Sequence, residues 1–192
     1  MKRIGIMGGT FNPPHIAHAI VAESVRQQLE LNKILFIPSG NPPLKDSIPA
    51  AHRLAMTRIA FEDDANFEVS EIEMKDSEKS FTVNTLERLH QNYKKLSADF
   101  YLIIGVDNLI ELPKWKDPER LFELSNVMVI NRPGFSEEDS KTEFKEKVKF
   151  INVPHLEISS SMIRDFVRKG KSVRYLVNER VLEYITTNKL YL

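Results

Sequence analysis

Short apolar runs alternate along this chain with stretches whose apolar residues recur every three or four positions. Arg3–Met7 is a short apolar run ending in Gly8-Gly9, the pattern of a buried strand entering a tight loop. From Ile16 to Leu31 the spacing is helical, with Ile20, Val21, Val25 and Leu29 on one side. Ile34–Ile37 predicts a second buried strand, closed by Pro38 and a loop rich in Pro, Gly and Ser. Ala50–Phe61 reads as a helix, Phe67–Ile72 as a strand, and Thr82–Tyr93 as a helix striped by Val83, Leu86 and Leu89. Phe100–Ile104 is the clearest buried strand, followed by a short helix over Glu119–Leu124 and a strand over Val127–Ile130. Asn131–Lys149 is polar and charged, which predicts a surface loop with room for a helix. A last strand at Phe150–Val153 precedes helices over Met162–Arg168 and Glu179–Thr187.

Alternation of this kind predicts an α/β fold with a mostly parallel sheet, in one domain over residues 1–192. The C-terminal part, from about residue 155, is expected to be a small helical subregion. Ligands of such sheets sit beyond the carboxyl ends of the strands, which selects the loops after Met7, Ile37, Ile104 and Ile130.

Composition narrows the classes. Lys plus Arg equals Asp plus Glu at 27 each, so the basic excess expected of a nucleic-acid binder is missing. With no cysteine, disulfides, zinc thiolates and cysteine nucleophiles are excluded. No apolar stretch has membrane-spanning length, and MKRIGIMGG is not a signal peptide; a cytoplasmic protein is expected. The oligomeric state is left open, and a homo-oligomer is compatible with the sequence.

Candidate chemistry begins in the first loop, which reads G-G-T-F-N-P-P-H-I-A-H. Gly8 and Gly9 let the backbone approach a phosphate closely. Pro13 and Pro14 suit a turn into a helix start, whose free N–H groups and positive dipole end face the same place. His15 and His18 are three apart and share a face, so both imidazoles can donate to phosphoryl oxygens. Gly-x-Gly-x-x-Gly is absent, which disfavours a dinucleotide-binding dehydrogenase domain. This loop resembles the G-x-F-D-P-x-H-x-G-H signature of the nucleotidylyltransferase superfamily, with Asn12 for Asp and Ala17 for Gly. The resemblance implies a Rossmann-like, doubly wound fold and assigns Gly8, Gly9, Thr10, Phe11, His15 and His18 to ATP.

Near the other end the chain reads I-S-S-S-M-I-R over Ile158–Arg164. One serine is enough to cap a helix, and here there are three, with Arg164 one turn after Ser161 and a guanidinium fork that suits phosphate. The segment resembles the superfamily's I-S-S-T-x-I-R signature, which adds Ser159, Ser160, Ser161 and Arg164 to the ATP site and makes Arg164 catalytic with the histidines.

Three further segments resemble bacterial nicotinate-nucleotide adenylyltransferases: S-F-T-V-N-T from Ser80, I-G-V-D-N-L from Ile104, and L-P-K-W from Leu112. That resemblance implies nicotinate mononucleotide as the acceptor of AMP from ATP, with deamido-NAD and pyrophosphate as products. Trp115, the only tryptophan, lies in the charged setting KWKDPE, so its indole is expected partly exposed and able to stack on a pyridine ring. Thr85 is placed either to bond the nicotinate carboxylate or, mid-helix, to bond its own backbone. Thr82, Leu112 and Asn12 are further acceptor-site candidates; Gly105 and Asp107 go with ATP, Asp107 bonding ribose hydroxyls or capping the next helix. By the same resemblance Lys45 in N-P-P-L-K meets the acceptor phosphate, Arg53 assists it, and Arg132 sits over the adenine. Magnesium is expected with ATP, held mainly by phosphate and water. The competing readings are another acceptor (nicotinamide mononucleotide or phosphopantetheine) and a nucleotide-binding module without catalysis.

Overall fold

The computed structural model describes residues 2–41, 47–74, 80–131 and 142–192. Its elements run β1 (Lys2–Gly9), α1 (Ile16–Gln28), β2 (Lys33–Pro38), α2 (Ala50–Phe61), β3 (Phe67–Val69) and α3 (Thr82–Asn92). They continue with β4 (Ala98–Gly105), α4 (Val106–Glu111), α5 (Pro118–Leu124), β5 (Asn126–Ile130), β6 (Lys149–Ile151), α6 (Ser160–Arg168) and α7 (Glu179–Thr187). Every strand pairs parallel to its neighbours, in the order β3-β2-β1-β4-β5-β6. The direction of winding reverses between β1 and β4, and a crevice opens at such a switch point beyond the strand ends Gly9 and Gly105.

Side chains alternate across the strands and fill two layers. Ile4, Ile6, Leu35, Ile37, Leu102, Ile104, Val127 and Val129 pack on one face with Leu86 and Leu89 of α3 and Leu121 of α5. Ile34, Phe36, Ile103, Met128 and Ile130 pack on the other with Ala22 and Val25 of α1 and Phe61 of α2. A third cluster joins Met56 of α2 to Ile163 of α6 and Val181 and Ile185 of α7, so the C-terminal helices hang on the outer side of α2. Among the described residues, no helix is long and apolar enough to cross a membrane.

Several boundaries differ from the sequence pattern for local reasons. α1 stops at Gln28, because Glu30 takes a positive φ of 49° and turns the chain so that Leu31 enters the core. Its buried positions are Ala17, Ala22 and Val25, and Val21 and Leu29 pack partly buried against the same core, while Ile20 is exposed. β3 ends at Val69, and a turn closed by Met74 N–H to Glu71 C=O replaces its expected continuation. α4 arises where no element was expected, directly from the end of β4. Within the expected 131–149 loop, Phe144 is buried beside Phe122, and β6 begins at Lys149; residues 132–141 lie outside the described residues. α6 starts at Ser160, two residues ahead of Met162, because Ser159 caps it.

Phe36 stacks on Phe61 with ring centroids 3.9 Å apart and meets Phe11, the aromatic of the first loop, edge-on at 5.9 Å. Phe36→Ala is expected to cost about 3–5 kcal/mol of stability by urea denaturation. A loss below about 1 kcal/mol would contradict this packing.

Candidate active site

The loop after β1 is built to bring two imidazoles to a helix start. Phe11 takes φ 48° and is buried among Phe36, Phe61 and the edge of His18, pinning the middle of the loop. His15 is the extended residue immediately before α1, and His18 lies in the first turn. Their rings stack at 3.8 Å. The backbone N–H of His15 donates to Nδ1 of His18 at 3.2 Å, so the neutral His18 ring carries its proton on Nε2, a donor on the far side of the ring. Pro13 and Pro14 precede His15, so they shape the approach to α1 and do not occupy its first turn. At Gly8 a Cβ would meet nothing within 4 Å, so packing among the described residues does not require glycine there.

The serine segment docks against this loop, and each serine has its own task. Ser159 caps α6, its Oγ accepting the Met162 N–H at 3.1 Å. Ser160 Oγ donates to the Pro13 carbonyl at 2.7 Å. Ser161 Oγ accepts from Arg164 Nη2 at 3.2 Å, while Arg164 Nη1 donates to the Asn12 carbonyl at 2.8 Å. Arg164 therefore points back toward Ser161 as the spacing predicts, and a guanidinium with five N–H groups keeps donors to spare. The C-terminal segment adds a third line of support, since the Ile16 N–H donates to the Leu176 carbonyl at 3.0 Å.

Arg53 has a different position from the one expected. It is 1% exposed, and its guanidinium donates to the carbonyls of Ile48, Thr10, Ser39 and Gly40 at 2.6–3.1 Å. With its fork spread over four carbonyls, it clamps the loop after β1 to the loop after β2 and does not reach out toward an acceptor phosphate. Burial pulls its pKa below the usual range, partly offset by Tyr191 and Glu73. Lys45 and Arg132 lie outside the described residues.

Ser39 and Gly40 lead to the other half of the crevice. Ser39 donates through both N–H and Oγ to the Gly9 carbonyl, at 2.9 and 3.0 Å. A Cβ at Gly40 would collide with the Glu73 carbonyl oxygen, so the two backbones touch only because residue 40 is glycine. Thr82 opens α3 and is half-buried. Thr85 is buried, and its hydroxyl lies 2.6 Å from Glu73 Oε1 and 3.3 Å from the Phe81 carbonyl, so its single proton serves the protein. Gly105 is the residue from which α4 starts, and Asp107 lies inside the first turn, not at the cap. Leu112 is fully buried and belongs to the core. Trp115 is half-buried against that core.

The sequence reading assigned no role to Glu73, Tyr191 or Leu176. Tyr191 donates its hydroxyl to Asn12 Oδ1 at 2.8 Å, across nearly the whole chain. Glu73 is one of two acids in an alternating E-I-E run, and nothing in that pattern marks the buried one. Leu176 acts through its carbonyl, which leaves no trace in a side-chain pattern.

Paired imidazoles at one helix start, a serine-capped second helix start and an arginine that joins the two segments come together near the switch point of a parallel sheet, where ligands of such folds bind. The cytidylyltransferase-like family model matches residues 6–166, and the chain belongs to that family. Its relatives are more particular. The probable nicotinate-nucleotide adenylyltransferase of Oceanobacillus iheyensis is 36% identical over all of this chain and 97% of its own length. That of Streptococcus pyogenes is 40% identical over 99% of this chain and 89% of its own. Within the wider family, the chain is a member of the nicotinate-nucleotide adenylyltransferases. The Plasmodium falciparum nicotinic acid mononucleotide adenylyltransferase complexed with NaAD shares the fold, with TM-score 0.83 at 24% identity over 100% of this chain and 98% of that one. The same protein complexed with APC gives 0.80 at 23%, with the same coverage.

Two outcomes follow from the buried groups. Arg53→Met leaves four carbonyls without their donor and is expected to cost about 3 kcal/mol or more in urea denaturation. Arg53→Lys should not restore it, since one ammonium cannot span all four; a loss under about 1 kcal/mol would contradict the clamp. Burial also raises the Tyr191 phenol pKa, against the opposing pull of Arg164 and Arg53. A raised folded-state pKa gives stability that is complete below the unfolded value of about 10 and is lost as pH climbs beyond it. Stability measured between about pH 9.5 and 11 should therefore fall less steeply in Tyr191→Phe than in the parent.

Proposed function

We propose that this protein transfers AMP from ATP to nicotinate mononucleotide, releasing pyrophosphate and forming nicotinate adenine dinucleotide. The observation that carries the reading is the junction of the two motifs: Arg164 spans Asn12 and Ser161 beside the stacked His15 and His18. Two helix N-termini and three cationic or proton-donating side chains meet there, which is what a triphosphate needs. The absence of any packing reason for Gly8 fits a phosphate lying against the backbone at that point.

In this reading the mononucleotide phosphate attacks the α-phosphorus in line and pyrophosphate departs. The attacking oxygen is already anionic, so the site has to position and stabilise charge and needs no strong base. His18, through Nε2–H, and His15 serve the α- and β-phosphates; Arg164 and the N–H groups of Ser160 and Ser161 serve the β- and γ-phosphates. Gly9, Thr10 and Phe11 line the nucleotide side, and Gly105 with Asp107 meets the ribose. Magnesium arrives with ATP as part of the substrate. On this reading triphosphate oxygens and water would hold it rather than a cage of protein ligands. The acceptor lies toward Thr82, Thr85 and Trp115, with the indole face on the pyridine ring, and Lys45 and Arg132 complete the two substrate sites. Arg53 contributes by holding the loops. We place the enzyme in the cytoplasm.

The test is pyrophosphate release from ATP and magnesium with nicotinate mononucleotide, nicotinamide mononucleotide and phosphopantetheine offered separately. Turnover is expected with the first and well below it with the others. Turnover with phosphopantetheine alone would overturn the acceptor, and silence with all three would overturn the activity. In the same assay His18→Ala should lower kcat by about 100-fold or more while the acceptor KM moves only a few-fold. Unchanged kcat would remove His18 from the reaction.

A further inference from the structure

The loop that carries both histidines is held from behind by the last turn of the chain. Asn12 is 5% exposed, and it is fixed at both of its oxygens: the backbone carbonyl accepts from Arg164 at 2.8 Å, and Oδ1 accepts from the Tyr191 hydroxyl at 2.8 Å. Tyr191 is held in turn. Leu190 is buried in the cluster of α2, α6 and α7, and Tyr191 takes φ 68°, which turns its ring inward. A phenol in this place gives Asn12 one amide orientation, and through the Asn12 carbonyl it fixes where the Arg164 guanidinium sits.

From this geometry we infer that Tyr191 is a positioning residue of the transfer reaction, acting through Asn12 on Arg164. Burial keeps the phenol protonated well above neutral pH, so it remains a donor throughout the working range. The charges of Arg53 and Arg164 both act on the phenol, so it is electrostatically coupled to the guanidinium that clamps the two loops and to the one that meets the Asn12 carbonyl. A purely structural tyrosine would be needed for its ring. A positioning tyrosine is needed for its hydroxyl, and only while residue 12 offers an acceptor.

The inference rests on the proposed reaction, so its test has an arm that does not. Tyr191→Phe keeps the ring and removes the hydroxyl. It is expected to lower kcat about tenfold or more, with the acceptor KM within about twofold. The loss should persist in an Asn12→Asp background, where a carboxylate still accepts from the phenol. It should vanish in an Asn12→Ala background, where no acceptor remains. The second arm measures the affinity of a non-hydrolysable ATP analogue by calorimetry across the same six proteins, and the same pattern of persistence and disappearance is expected. Urea denaturation of each variant separates loss of fold from loss of function. Full kcat and full analogue affinity in Tyr191→Phe would overturn the inference. So would equal Tyr191→Phe effects in all three backgrounds, or a stability loss with neither function changed. If the parent binds the analogue with the expected pattern but turns over no acceptor, the reaction fails and the Tyr191–Asn12 coupling stands.

Discussion

Two segments about 150 residues apart in sequence, the loop after β1 and the start of α6, are held together through one pair of carbonyls. Ser160 donates to Pro13 and Arg164 to Asn12, at sequence separations of 147 and 152. Neither segment makes an anion site by itself. The histidine loop lacks a fixed cation, and the serine helix alone would offer a cap and a few backbone N–H groups. Joined, they bring two helix starts and a guanidinium together, and the proposed function needs that combination.

The remaining architecture serves that junction. The parallel sheet delivers the histidine loop at its switch point, while α2 carries the C-terminal helices through Met56, Ile163, Val181 and Ile185. Arg53, at the start of the same helix, turns inward and ties the loop after β1 to the loop after β2. One helix thereby sets the distance between the loop after β1 and the loop after β2. Net charge contributes little, since acidic and basic residues cancel at 27 each; the positive character is local and comes from placement.

The strands were legible because ILFI and FYLII are unbroken apolar runs, as expected of parallel strands covered on both faces, and the first loop and the serine segment stood out because their residue types and spacing resemble the superfamily's signatures. The pattern misplaced Ile20, because the face of α1 that meets the sheet is centred on Ala22 and Val25, and hydropathy alone ranks isoleucine above alanine. Arg53 was misjudged for a related reason: an arginine beside a motif looks like a ligand group, and only the fold reveals four carbonyls waiting for it. Thr85 showed its second partner, Glu73, only once the turn before α3 was in place. Tyr191 drew no role from the sequence because its partner is far away in the chain; that partner is the residue where this chain has Asn in place of the signature's Asp.

The central claim is that the histidine loop and the serine helix form one triphosphate site. Calorimetric titration of a non-hydrolysable ATP analogue into the parent, His18→Ala, Arg164→Ala and the double variant tests it directly. A single site predicts strong coupling, with the double variant losing clearly less affinity than the product of the two single losses. Losses that multiply without coupling, or full affinity in either single variant, would contradict it.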